Sequence, residues 1–264
     1  MARRVSPSLM AASLRASTLV DFTSSWSGAP SPSFGDVRAL AFDLDCTLID
    51  IIRLKRHACE AAAWTLADAG LDLDPAATTH RLLATAFDVG IDRHDVVDLF
   101  LHRIGQGDAL LIELAAAAYA RAEAEQARPY PRVLRTLHQL QRRGYSFALI
   151  TDAPSDRVRS RLAAARLHPF FGPVITGDDT PQGKGDARPF ELACELLGVA
   201  PHELLMVGDH PVRDIGSAHA FGARTALARY GLQRRFTSIN AGHQADVELS
   251  WFDDLLAHLP AATA

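Results

Sequence analysis

Cysteine is scarce, with three in 264 residues, at positions 46, 59 and 194. An odd number at wide spacing excludes a disulfide framework and a cysteine zinc site, and points to reduced thiols and a cytoplasmic location. No apolar run reaches the roughly 18 residues of a membrane span, which argues against a membrane partner. No block of basic residues offers nucleic acid an electrostatic footprint on a chain of net charge -4. Lysine is rarer still: Lys55 and Lys184 are the only two among 27 basic residues. Where arginine serves for general charge, a retained ammonium is an unusual choice, of the kind that suits a compact point charge on phosphate.

What is present is an ordinary globular composition, 48% apolar and 22% charged, long enough for one core and a smaller insert. Residues 1–35 are rich in Ser, Ala and Pro with Asp21 as their only acid, which predicts a disordered N-terminal extension. From Val37 onward, strand-like runs alternate with helical patterns. The strands are expected at Val37 to Phe42, Ser146 to Thr151, Val174 to Thr176, Leu204 to Val207, Thr225 to Ala228 and Val247 to Leu249. Helices are expected around Arg132 to Arg143, Asp156 to Leu167, Pro189 to Leu197, Val212 to Phe221 and Phe252 to Leu259. Alternation of this kind predicts an α/β fold with a doubly wound parallel sheet, Rossmann-like, over residues 36–50 and 128–264. The interval 51–127 has no convincing strand, carries helix signals at Gly70, Asp74-Pro75 and Asp108, and reads as an all-helical cap over the carboxyl ends of the strands.

The most informative stretch is Phe42-Asp43-Leu44-Asp45-Cys46-Thr47. Two carboxylates one residue apart, where a buried strand ends, fall on one side of the chain and can reach one ligand. Later strand ends add Thr151 and Asp152, then Lys184 in a polar loop, then Gly208-Asp209 with Asp214 at a helix start. Converging carboxylates repel one another, and an oxygen-ligated Mg²⁺ relieves the repulsion while bridging to phosphate. Lys184 and Thr151 can serve the phosphate itself. This set suits phosphoryl transfer from a small phosphorylated metabolite: one acid attacks phosphorus and the other handles the proton of the leaving alcohol.

In these motifs, and across the chain from about Val37 onward, the sequence resembles the haloacid dehalogenase (HAD) superfamily, subfamily I with a helical cap. The resemblance implies Asp43 as nucleophile, Asp45 as general acid/base, and Thr151 and Lys184 on the phosphate; Asp152, at the same strand end as Thr151, is expected to be a further phosphate contact. It also implies Mg²⁺ held by the Asp43 side chain, the Asp45 backbone carbonyl and Asp209, with Asp214 in support. Ile150-Thr151-Asp152-Ala153-Pro154, Arg128-Pro129-Tyr130-Pro131 and Leu205-Met206-Val207-Gly208-Asp209 look like the branch that includes glyceraldehyde 3-phosphate phosphatases. Two positions depart from the family pattern: Cys46, where Gly or Asp is usual, and Gly185, where Pro usually follows the lysine.

The expected activity is therefore an Mg²⁺-dependent phosphatase working through an aspartyl phosphate. A phosphoglucomutase-like transferase keeps both acids. A dehalogenase or phosphonatase is expected to lack Asp45, although Lys55 is the one candidate for a phosphonatase Schiff base. An inactive binding module would have no need of the full set. His210 reads as a loop residue, since magnesium prefers oxygen, and Lys55 and Arg53 as solvated helix charges. Lys184→Ala is expected to weaken turnover with little change in fold.

Overall fold

The structure is a computed structural model that describes residues 33–231 and 244–260. Most of the predicted extension, residues 1–32, lies outside the described residues. Six strands make one sheet: β1 (Ala39–Phe42), β2 (Ser146–Ile150), β3 (Val174–Ile175), β4 (Leu204–Gly208), β5 (Arg224–Ala228) and β6 (Val247–Leu249). Their order in space is β3-β2-β1-β4-β5-β6, and every neighbouring pair is parallel. The winding reverses at β1, so the crevice of a doubly wound sheet opens beside it. Phe42 lies opposite both Leu149 and Val207, so the three central strands finish near one level.

The strands form where they do because both faces of this sheet are covered, which favours short runs of unbroken apolar sequence. β1 is buried throughout and divides its side chains by alternation. Leu40 and Phe42 enter one core with Val133, Leu137, Phe147, Phe171 and Phe252. Ala39 and Ala41 enter the other with Phe190, Ala193 and Met206. Phe34 also belongs to the first core and donates its backbone N–H to the His258 carbonyl at 2.9 Å, so ordered packing reaches into the end of the predicted extension.

Between Ile49 and Pro129 run four helices: α1 (Ile51–Asp68), α2 (Pro75–Val89), α3 (Val96–Arg103) and α4 (Ala109–Gln126). They build a separate core from Ala58, Leu66, Leu82, Val97, Phe100 and Tyr119. Their starts follow the sequence signals. Asp74 accepts from the Ala77 N–H with Pro75 in the first turn, and Asp108 accepts from Leu110 and Leu111. These contacts satisfy N–H groups that a helix leaves unpaired. The chain leaves and re-enters the sheet domain side by side: Ile49 and Pro129 form an antiparallel bridge, and the Tyr130 N–H donates to the Leu48 carbonyl at 2.9 Å.

The remaining helices are α5 (Val133–Arg142), α6 (Ser155–Ala164), α7 (Arg188–Leu197), α8 (Ser217–Phe221) and α9 (Leu255–His258). The helix expected from Val212 to Phe221 differs at its start, where Pro211–Gly216 is wound as a π turn before α8. Two local contacts account for the wider winding. His210 Nδ1 accepts from the Val212 and Arg213 N–H groups, and Asp214 Oδ2 accepts from the His210 N–H at 2.8 Å. Such turns occur often at functional sites. Among the described residues no helix is long and apolar enough to cross a membrane, and all three cysteines are buried.

Candidate active site

Asp43, Asp45, Thr151, Asp152, Lys184, Asp209 and Asp214 all line one cavity of about 130 Å³ at the carboxyl ends of β1, β2 and β4, and Ile51, Ile91 and Asp92 close it from the helical side. The seven residues picked from sequence thus meet in one place. Asp43 directly follows β1, and its N–H still donates to Val207 of β4 at 2.9 Å. The chain then turns sharply. Cys46 adopts a left-handed backbone with φ 64°, a conformation that suits glycine or aspartate better than cysteine, which gives a physical reason for the family's usual residues there. Gly231 packs against the Cys46 carbonyl so closely that a Cβ would lie 1.4 Å from its oxygen. Tyr230 donates its hydroxyl to the Thr47 carbonyl at 2.9 Å. The loop carrying both acids is therefore clamped from β5.

Lys184 sits on a one-turn helix, Gly183–Gly185. Its buried ammonium lies 2.5 Å from Asp43 Oδ1 and 2.7 Å from Asp214 Oδ1. Burial opposes that charge, but Asp214, Asp43 and Asp152 outweigh burial and hold the lysine above its ordinary range. Asp152 has a supporting part: one carboxylate oxygen accepts from the Lys184 N–H at 2.8 Å and the other from Arg213 at 2.8 Å. Both of its carboxylate oxygens thus face protein donors, which revises the expectation of a phosphate contact. Gly183 makes this fit possible, because at φ 63° a Cβ would stand 2.7 Å from Asp152 Oδ1. The loop thus presents the ammonium without the proline usual after it. Thr151 is buried at the same edge and accepts from the Ala153 N–H at 3.2 Å.

Asp43, Asp209 and Asp214 are buried with carboxylate oxygens within 4.8 Å of one another. Gly208 lets Asp214 in, since a Cβ there would lie 2.3 Å from Asp214 Oδ2. Burial first, then the charges of Asp43 and Asp214, push Asp209 up to about 9. Burial likewise lifts Asp43 to about 7, against the pull of Lys184. One ammonium does not offset three acids, and hard oxygen donors this close fit a divalent cation.

Asp45 is set apart from that trio. Its Oδ2 accepts from Arg161 of α6 at 2.5 Å, while its Oδ1 is buried with no hydrogen-bond partner. Burial raises it to about 6, with Arg161 opposing. Arg161 also donates to Asp92 at 2.7 Å. Sequence reasoning missed Arg161, as well as Glu123, whose two oxygens take Lys55 and Arg157 at 2.7 Å each. Lys55 is no solvated charge. It is fully buried on Glu123 and does not line the cavity, whereas Arg53 is exposed as expected. The rarity of lysine was the one signal that could have singled Lys55 out.

Fold and site together define a hydrolase of the haloacid dehalogenase-like family, to which the chain belongs: residues 37–222 match it. Among its relatives, a phosphoglycolate phosphatase of Yersinia pestis is 31% identical over 228 residues, 84% of this chain and 93% of that protein. A glyceraldehyde 3-phosphate phosphatase of Methanopyrus kandleri is 29% identical over 223 residues, covering 83% and 96%. The solved HAD hydrolase YfnB of Bacillus subtilis, bound to magnesium, shares the fold at TM-score 0.60 and 20% identity, covering 83% and 96%.

Proposed function

We propose that the protein is an Mg²⁺-dependent phosphatase that cleaves a small phosphomonoester through an aspartyl phosphate on Asp43. The observation that carries this reading is the division of labour between two acids. Asp43 belongs to the acidic trio and faces the lysine, and Asp45 stands two residues away with one oxygen unpartnered. Asp43 Oδ attacks phosphorus as the ester P–O bond breaks, and Asp45 gives its proton to the departing alkoxide. Water then attacks the phosphorus, Asp45 takes the water proton, and the P–O bond to Asp43 breaks to release phosphate. Lys184 and Thr151 hold the phosphoryl oxygens.

Asp43, Asp209 and the Asp45 carbonyl would hold Mg²⁺, with Asp214 in support; the ion supplies positive charge to the phosphoryl oxygens. The names of the relatives support a short-chain substrate, and the size of the cavity agrees. Placement of Lys55 on Glu123, away from the cavity, gives no support to a phosphonatase Schiff base, and an acid at Asp45 suits a leaving alcohol better than a halide.

The test is phosphate release from a panel of short-chain phosphomonoesters, including glyceraldehyde 3-phosphate and phosphoglycolate, before and after chelation. Mg²⁺-dependent release from at least one ester is expected. Undiminished release after chelation would refute the metal dependence, and no release from any ester would refute the activity.

Metal binding has a separate readout. With Asp43 and Asp209 raised from 3.8 to about 7 and about 9, the folded metal-free protein binds more protons than the unfolded chain across that window. These two acids therefore make it less stable as pH rises from about 4 to 9. Mg²⁺ displaces those protons, so its stabilisation is expected to be larger at pH 8 than at pH 6. At 100 times its dissociation constant the gain is about 2.7 kcal/mol, or roughly 5–10 °C in thermal unfolding. Equal shifts at the two pH values would contradict the assignment of these acids to the metal.

A further inference from the structure

Arg161 lies on α6 in the sheet domain, and its side chain is 3% exposed. Its guanidinium faces three carboxylates: Asp45 at 2.5 Å, Asp92 at 2.7 Å and Glu123 at 3.5 Å. Asp45 comes from the loop after β1, but Asp92 lies between α2 and α3, and Glu123 on α4. Arg157, one turn earlier on α6, grips the other oxygen of Glu123 and meets His94 Nδ1 at 2.7 Å. Lys55 of α1 completes the group through Glu123. Asp45, Arg157 and Arg161 on the sheet side carry a net positive charge, and Lys55, Asp92 and Glu123 on the helical side a net negative one. The charges compensate only when the helices lie against the sheet.

We propose that Arg161 is a positioning residue: it holds Asp45 by Oδ2, turning Oδ1 to the cavity, and is itself aligned by Asp92 and Glu123 of the cap. The proposal rests on the reading of Asp45 as general acid/base. A planar guanidinium fits this task because its fixed fork engages two carboxylates in set directions. An aspartate at a loop turn has broad freedom about its terminal torsion, and a misplaced proton donor loses most of its effect. The cap thus does more than cover the cavity, because its acids keep Arg161 on the side chain that must deliver the proton.

The consequence is specific to the leaving group. An alkoxide needs the proton, whereas p-nitrophenolate departs as a stable anion. With Mg²⁺ present, Arg161→Ala is expected to lower kcat/KM for glycerol phosphate by about 100-fold and for p-nitrophenyl phosphate only a few-fold. Arg161→Lys, which keeps charge but loses the fork, should recover part of the difference. In an Asp45→Asn background, Arg161→Ala should add no further difference between the esters, because positioning a group that no longer acts has no effect. Asp92→Ala, a substitution at a partly exposed site, gives the same preference in milder form and serves if the Arg161 variants do not fold.

Equal losses on both esters, wild-type kinetics in the variants, or a full extra loss in the Asp45→Asn background would overturn the inference while leaving the phosphatase reading intact. No phosphate release by the wild-type protein from any ester would remove both.

Discussion

Asp43→Asn is expected to lower kcat for phosphate release by on the order of 10⁶-fold, the loss that follows removal of a nucleophile from groups that act as a unit. The amide keeps the shape of the side chain but cannot form the acyl phosphate, and it brings one negative charge fewer to the metal. Fold should survive. Burial already pushes Asp43 up to about 7, so a neutral amide relieves repulsion with Asp209 and Asp214, and Lys184 retains Asp214 at 2.7 Å. The measurement is single-turnover phosphate release beside thermal unfolding of the same sample. Normal stability with lost turnover supports the assignment. Retained turnover in the folded variant would show that another group attacks phosphorus.

Lys184→Ala should damage both turnover and stability. Sequence alone suggested little change in fold, because an ammonium in a polar loop reads as exposed. The structure reverses that expectation: Lys184 is buried between Asp43 and Asp214. Removing one partner of a buried ion group costs about 3–5 kcal/mol because the other charges remain, equivalent to roughly 10 °C or more for a chain of this size. Turnover should fall by about 10²- to 10³-fold through loss of charge on the phosphoryl oxygens.

The sign with pH is fixed by the raised acids. At pH 5, Asp43 (about 7) and Asp209 (about 9) are largely protonated in the metal-free variant, so the stability loss should shrink there and grow towards pH 9. A loss independent of pH would mean that the lysine acts by packing alone.

The sheet was legible because its strands are buried on both faces. Runs such as Ala39–Phe42 and Leu204–Gly208 are apolar at every position, with Asp43 and Asp209 following immediately. The starts of α2 and α4 were legible for a different reason, since Asp74 and Asp108 satisfy helix N–H groups only two or three residues away. Local contacts leave local signatures.

The charge network left none. Lys55 finds Glu123 across 68 positions and Asp45 finds Arg161 across 116, and α4 shows only an Ala- and Glu-rich pattern that would suit a solvated face. The π turn at Pro211–Gly216 escaped for a related reason, because it depends on Asp214 folding back over Gly208. The part of Asp152 was hidden as well. Its neighbour Thr151 suggested phosphate, whereas the partners that occupy its carboxylate come from Lys184 and Arg213.

The bridge between Ile49 and Pro129, with Tyr130 bonded to Leu48, gives the helical segment a particular standing in evolution. To the sheet, everything between those residues is one loop whose ends are already tied. Loop-closure entropy grows only with the logarithm of length, so helices can be added, lost or exchanged there at little thermodynamic cost to β1 and its acids. One inheritance is thus free to vary with the metabolite while the other stays with the chemistry. The exception is the contact through Arg161: a transplanted set of helices that does not bring counterparts of Asp92 and Glu123 would leave a buried arginine facing Asp45 alone.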